Sequence, residues 1–204
     1  MRANRGPGTA PARTFTESAR RAQIVEAAIA TIAELGYRNA SFAQIAKRAG
    51  LSSTGLISYH FSSRQELMDQ VVSKIVTAIG SHMAQRLEGV EPAGAALRAY
   101  IEGNVEFIGD HRAEMKALLE IFINGAFDYS PATDQMVISP VEQILAEGQR
   151  SGEFRDFDTK VMATLVQRAV DGLPFLLSAD PGVDVPAYGA EVATAFDLAT
   201  RKAK

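Results

Sequence analysis

No cysteine and no tryptophan occur among the 204 residues of this chain. Without a thiol there is no disulfide scaffold, no thiolate metal site and no cysteine nucleophile. Long apolar runs are missing too. No stretch reaches the roughly 20 uninterrupted apolar residues that a membrane span needs, and the first arginines are followed by no apolar segment of the signal-peptide kind. Neither insertion nor secretion is indicated, so a cytoplasmic location without a membrane partner is expected. Enzyme signatures are equally scarce. His60, His82 and His111 are too scattered for a local metal motif, and neither a Gly-x-Ser-x-Gly elbow nor a phosphate-cradling Gly-Lys-Ser/Thr run occurs. No catalytic residue, cofactor or metal ligand is assigned, and an enzyme is not expected. What is present is 47% hydrophobic and 22% charged residues, the balance of a soluble globular protein that can bury one or two cores.

The net charge of -3 conceals an uneven distribution. Residues 1–64 carry nine basic side chains (Arg2, Arg5, Arg13, Arg20, Arg21, Arg38, Lys47, Arg48, Arg64) against Glu17, Glu26 and Glu34, which leaves the remainder at -9. Phosphate attraction is local and screened within about 8 to 10 Å, so a basic front third on an acidic chain suits a protein that meets a polyanion with that third alone. A basic tail plus a solvated helix face is the plainer alternative.

Residues 1–13 are rich in Gly, Pro, Ala and Arg without an apolar period and read as a flexible basic arm. From Ser18 to Leu35, the residues Ile24, Ala28, Ile32 and Leu35 recur at helical spacing, with Thr14 and Glu17 as a possible capping box and Gly36 as the stop. Ser41 with Gln44 opens a second short helix with Phe42, Ile45, Ala46 and Ala49 inside and Gly50 at its end. After the turn Leu51-Ser52-Ser53, Ser53 can cap a third helix reaching His60 or Phe61, with Leu56 and Ile57 as anchors. Ser63 with Glu66 begins a longer helix carrying Leu67, Val71, Val72, Ile75, Val76 and Ile79. Further helices are expected over 92–108, 111–127, 133–150, 158–178 and 185–202. Pro140 either starts or kinks one, and Pro174 bends another. The fold class is therefore all-α.

Two short capped helices joined by a Gly-containing turn, with a helix before them, have helix-turn-helix geometry. Such a unit needs its last helix anchored from behind and fronted by small or hydrogen-bonding groups that fit a groove about 12 Å wide. Ser52, Ser53, Thr54, Gly55, Ser58, Tyr59 and His60 can supply that front. The capped starts at Ser41 and Ser63, with Arg64 beside the second, offer amides and charge to phosphates. Taken singly, the serines are ordinary caps and Tyr59-His60-Phe61 an ordinary aromatic corner.

The strings Ile45-Ala46-Lys47-Arg48-Ala49-Gly50-Leu51-Ser52, Thr54-Gly55-Leu56-Ile57-Ser58-Tyr59-His60-Phe61 and Arg64-Gln65-Glu66-Leu67 resemble the DNA-binding signature of the tetracycline-repressor (TetR) family of transcriptional regulators. The resemblance covers residues 18–67 and is weaker beyond, at Gly152-Glu153-Phe154 and Asp171-Gly172-Leu173. It implies a DNA-binding domain over 14–64 and a larger helical ligand-binding and dimerisation domain over 65–204. It places Ser41, Lys47 and Arg48 near the phosphate backbone, Thr54, Gly55, Ser58 and Tyr59 toward bases, and His60 and Arg64 at phosphates. The turn holds both Ser52 and Ser53 where the family commonly has one residue, so which serine caps the recognition helix stays open.

One short helix reads one half-site, so the implied partner is a near-palindromic double-stranded operator bound by a homodimer. The resemblance puts the subunit interface on the last two helices, at Leu165, Val166, Leu173, Phe175, Leu176, Leu177, Val192, Phe196 and Leu198. Closing the monomer's own core is the alternative. It also implies a cavity for a small-molecule effector, with Tyr100, Phe107, Met115, Phe122, Phe127 and Phe175 as candidate lining, although Met and aromatics at helical spacing are usually core. Glu106, Glu120, Asn124 and Asp128 are candidates for orienting a polar or cationic group. The expected function is a ligand-responsive transcriptional repressor released from DNA by an inducer. The alternative is a helical interaction or small-molecule carrier protein that does not read DNA.

Overall fold

The computed structural model describes residues 15–127 and 131–202. Among them it forms ten helices: α1 (Phe15–Leu35), α2 (Phe42–Arg48), α3 (Gly55–His60), α4 (Arg64–Leu87), α5 (Ala93–Asp110), α6 (Arg112–Ile123), α7 (Pro131–Arg150), α8 (Thr159–Asp171), α9 (Leu173–Ala179) and α10 (Val185–Thr200). No strand occurs among the described residues, where the only β pairing is an isolated bridge between Phe154 and Arg201. The expected basic arm and Thr14 lie outside the described residues.

Local chemistry sets most helix ends. Ser41 Oγ accepts from the Gln44 N–H at 3.3 Å and Ser63 Oγ from the Glu66 N–H at 3.0 Å, so both serines cap as their spacing predicts. α2 closes with the Gly50 amide on the Lys47 carbonyl and the Leu51 amide on the Ala46 carbonyl, a pairing that needs the positive φ of +64° at Gly50. The same pairing ends α6, with Gly125 on Phe122 and Ala126 on Ile121, which stops that helix at Ile123, short of the expected residue 127. The predicted helix 158–178 is two helices. Pro174 has no amide and its ring would meet the carbonyl one turn back, so it sits in the first turn of a new helix after Gly172. Pro140 lies inside α7.

The apolar residues gather into three clusters. The first joins Ile24, Ala28 and Ile32 of α1, Ile45 of α2, Ile57 and Phe61 around α3, and Leu67 to Ile75 of α4 with Ala117, Leu118 and Ile121 of α6. Packing of the front unit therefore continues past residue 64 and takes in α6. The second cluster sets Leu97, Tyr100 and Ile101 of α5 against Ile138, Val141 and Leu145 of α7, Met162 and Val166 of α8, and Ala193 of α10. The third holds Val105 and Ile108 of α5 with Val170, Leu173 and Val185. α5 and α10 interlock reciprocally. A Cβ on Gly109 would lie 2.8 Å from Val185 Cγ1, and one on Gly189 would lie 3.0 Å from Val105 Cγ1, so each helix offers bare backbone where the other places a valine.

Candidate nucleic-acid interface

The short helix α3 presents two faces of opposite character. Ile57 is fully buried and Phe61, just past the helix, is 1% exposed, so the pair four residues apart pins α3 to the core. On the other side Thr54, Gly55, Ser58 and Tyr59 are exposed, Tyr59 to 79%. Exposure of that degree for an aromatic ring leaves its edge and hydroxyl free for an outside surface. Leu56, expected as a second anchor, is 38% exposed, because a residue directly before a buried position on a helix points some 100° away from it. Thr54 is the N-cap of α3 and makes no side-chain capping bond, so neither Ser52 nor Ser53 fills that place; both are exposed.

A charged lock holds the far end of α3. Arg21 of α1, only 10% exposed at its side chain, donates to the His60 carbonyl, lies 4.1 Å above the Phe61 ring and bridges to Glu66 at 2.9 Å. The second oxygen of Glu66 accepts both the amide and the hydroxyl of Ser62 at 2.8 Å. These Ser62 hydrogen bonds, then Arg21, hold the Glu66 carboxyl down to about 2 against an ordinary 4.5. Gln23 caps the end of α2 by donating to the Ala49 carbonyl at 2.7 Å. α1 thus fixes the ends of both short helices.

The remaining candidates occupy distinct places. Ser41, Lys47 and Arg48 are exposed, and Arg48 pairs with Glu34. His60 is half-buried, its ring edge-on to Tyr59 at 5.0 Å and its Nδ1 enclosed without a hydrogen-bond partner. Arg64, expected at a phosphate, has its guanidinium turned inward. It donates to the Ala40 carbonyl at 2.9 Å and the Tyr37 carbonyl at 2.7 Å and covers the Tyr37 ring at 4.7 Å. In this structure it supports the turn before α2 from behind. Sequence reasoning missed Arg21 and Glu66 as a pair, for which the Ser63-Glu66 capping spacing was the only local signal.

Residues 24–71 match the model of the bacterial regulatory proteins of the tetR family. Across a longer span, 164 residues are 30% identical to the HTH-type transcriptional regulator BetI of Escherichia coli, covering 79% of this chain and 80% of that one. The chain belongs to the TetR family of transcriptional regulators. The BetI of Cronobacter sakazakii is 36% identical over 105 residues, 50% of this chain and 52% of that protein, so the chain spans only about half the length of that relative. Among solved structures, a transcriptional regulator from Saccharomonospora viridis in complex with choline superposes with a TM-score of 0.76 over 91% of this chain and 100% of that one, at 23% identity. That likeness is one of fold: a helix-turn-helix head followed by a larger helical domain.

In the larger domain the six aromatic and methionine candidates do not converge on one cavity. Tyr100 is buried in the second cluster and donates to Gln167 at 2.7 Å, and burial raises its hydroxyl well above the usual tyrosine range. Phe122 and Phe127 meet edge to face at 5.3 Å and pack with Met115 against the first cluster, while Phe175 on α9 is 56% exposed. Phe107 alone lines a cleft, of about 250 Å³, with Glu26, Lys74, Ile75, Ala78, His111 and Glu114. Its floor is apolar, Phe107 and His111 stack at 4.1 Å, and Lys74 pairs with Glu26 at the rim. Of the polar candidates, Glu106 pairs with Arg86 at 2.8 Å, Glu120 and Asn124 bond to the head, and Asp128 lies outside the described residues.

The expected subunit interface divides in the same way. Val166 and Leu173 are fully buried within the monomer, whereas Leu165, Phe175, Leu176 and Leu198 are 41–56% exposed, together with Val161 on α8. No helix of the described residues is long and apolar enough to cross a membrane, and no group of three or more His, Asp or Glu among them is placed to hold a metal ion.

Proposed function

We propose that this TetR-family regulator is a ligand-responsive repressor that binds a near-palindromic operator as a homodimer and is released by a small-molecule effector. The observation that carries the reading is the polarity of α3: Ile57 and Phe61 bury its back, while Thr54, Gly55, Ser58 and Tyr59 stand outward. A helix so presented suits a major groove about 12 Å wide, with Gly55 and Ser58 permitting close approach and Tyr59 reaching base edges or thymine methyls. Ser41 at the capped start of α2, with exposed Lys47 and Arg48, takes the adjacent phosphates, and Ser52, Ser53 and His60 flank the helix at its two ends.

The exposed Val161, Leu165, Phe175, Leu176 and Leu198 support pairing of two chains through α8, α9 and α10, since single apolar residues are common on surfaces but a set on neighbouring helices favours association. The effector's seat in this reading is the cleft of Phe107, His111 and Glu114. Two carboxylates against one ammonium, with a stacked aromatic pair, favour a small organic cation, the chemical class of the choline bound by the Saccharomonospora viridis regulator. An effector with tenfold preference for the released state supplies about 1.4 kcal/mol of bias.

The test is electrophoretic titration of the purified chain against a randomised duplex pool at physiological salt. Enrichment of a two-fold symmetric site supports the proposal. Binding that shows no preferred sequence, or none at all, refutes it.

A further inference from the structure

The end of α6 and the turn after it hold the DNA-reading head where the 36–40 turn meets the first turn of α4, the helix that joins head to body. Three polar contacts, each between residues more than 60 apart in sequence, meet there. Glu120 Oε2 accepts the backbone N–H of Tyr37 at 2.9 Å. Asn124 Oδ1 accepts from Arg38 Nε at 2.9 Å, and the Ala126 carbonyl accepts from Gln65 Nε2 at 2.9 Å. Gly36, at φ +79°, makes the approach possible. A Cβ there would stand 3.3 Å from the Glu120 oxygen, and an L side chain would resist that backbone conformation. The gripped turn is tied onward, because Arg64 holds the Tyr37 and Ala40 carbonyls together and Ala40 directly precedes Ser41, the cap of α2.

We infer that Glu120 is a positioning residue for the recognition helix: through the Tyr37 amide it fixes the 36–40 turn, and with it α2 and α3, to the end of α6. Two features of the geometry give the contact this role. The bond is made to a main-chain donor, so its position follows the backbone of the turn and no flexible side chain intervenes on the head's side. A part-buried carboxylate facing an amide is also a charge-assisted bond, stronger than a neutral pair and directional. The shared apolar cluster holds α6 against α1 but reaches the 36–40 turn only through the partly buried Tyr37 and the buried Ala40. The hydrogen bonds at the tip add direction. A displacement of the α6 end is thereby delivered to the turn ahead of α2, beside whatever passes along α4. The arrangement is independent of what the head binds; its consequence for operator spacing rests on the proposed DNA-reading function.

The absence of cysteine makes the test direct, since introduced thiols are the only ones present. Nitroxide labels at Ala43→Cys on α2 and Ala95→Cys on α5, both exposed positions, report the head-to-body distance by pulsed electron resonance, in full-length chain diluted with unlabelled protein. Glu120→Ala broadens or shifts the distribution, while Glu120→Gln, which keeps an acceptor oxygen, preserves it. An unchanged distribution in Glu120→Ala, or equal broadening in both variants, overturns the proposal. Should Glu120→Ala fail to fold, Arg38→Ala and Gln65→Ala replace it, and unchanged distributions in both overturn the proposal equally.

A second arm uses a duplex selected by the wild type and the same duplex with one central base pair inserted, which rotates the half-sites by about 35°. Wild type discriminates about tenfold or more between them and Glu120→Ala less than threefold, with Glu120→Gln like wild type. A merely stabilising role would weaken both duplexes alike and leave the ratio unmoved, which overturns the inference. Failure of the wild type to select any duplex counts against the DNA-reading function and leaves the distance measurement as the judge of the contact.

Discussion

Replacing Glu66 by Gln removes one charge from the lock behind α3 and keeps the size of the side chain. Lowering of the carboxyl from 4.5 to about 2 corresponds to about 3 kcal/mol of preference for the ionised form in the folded chain. About a third of the Glu66 side chain is exposed, and solvent screening reduces that figure to about 1–2 kcal/mol. Part of that loss is Arg21, which, with a side chain only 10% exposed, keeps its charge beside Phe61 with no carboxylate opposite. We expect about 2 kcal/mol in total at pH 7, or about 4–8 °C in Tm for a chain of this size. The sign with pH follows from the direction of the shift. A carboxyl held below its unfolded value stabilises the fold fully above about pH 4.5, and that contribution drains away as pH falls toward 2. Wild type and Glu66→Gln therefore converge in stability on acidification, measured by denaturant unfolding at pH 7 and pH 3. A double-mutant cycle with Arg21→Met isolates the pair. Equal midpoints at pH 7, or a gap that does not narrow in acid, would show the lock to be decorative.

Three further outcomes are expected. Tyr59→Ala lowers affinity for a selected operator by about tenfold to a hundredfold, read by electrophoretic titration, with Tm unchanged because the ring is 79% exposed; undiminished affinity contradicts the assignment of α3. Leu165→Asp with Phe175→Asp yields a monomer by sedimentation and loses tight operator binding, while a dimer of wild-type strength would place the interface elsewhere. Gly148→Ala drives a methyl to within 2.1 Å of the Phe154 ring and destabilises the chain by about 1–3 kcal/mol, measured by urea unfolding.

Features carried by neighbours in sequence were legible, and features made by distant partners were not. The caps at Ser41 and Ser63, the stop at Gly50 and the buried Ile57 all follow from spacing within one or two turns. The inward turn of Arg64 does not, because its acceptors, the Tyr37 and Ala40 carbonyls, lie 27 and 24 residues away and have no side-chain signature. Arg21 reads as one more surface cation until α3 and α4 bring His60 and Glu66 to it. The aromatic candidates of the larger domain fall on apolar helix faces as expected, yet periodicity says only that a face is buried, not against which neighbour. Tyr100 joins the second cluster and Phe122 packs against the first, while Phe107 stacks on His111 at the cleft. Glu120 and Asn124 sit beside apolar residues and look like groups awaiting a ligand, when their partners are the head's own turn.

The reciprocal glycine and valine contacts between α5 and α10 act like two cogs meshed a turn apart. Neither helix can slide along the other without driving a valine into main chain, so the two travel as a single beam. Phe107 lies on that beam at the cleft, and the exposed Leu198 lies on it within the proposed pairing surface. A molecule wedged against Phe107 would thus move α10, and the proposed pairing surface with it, as well as α5.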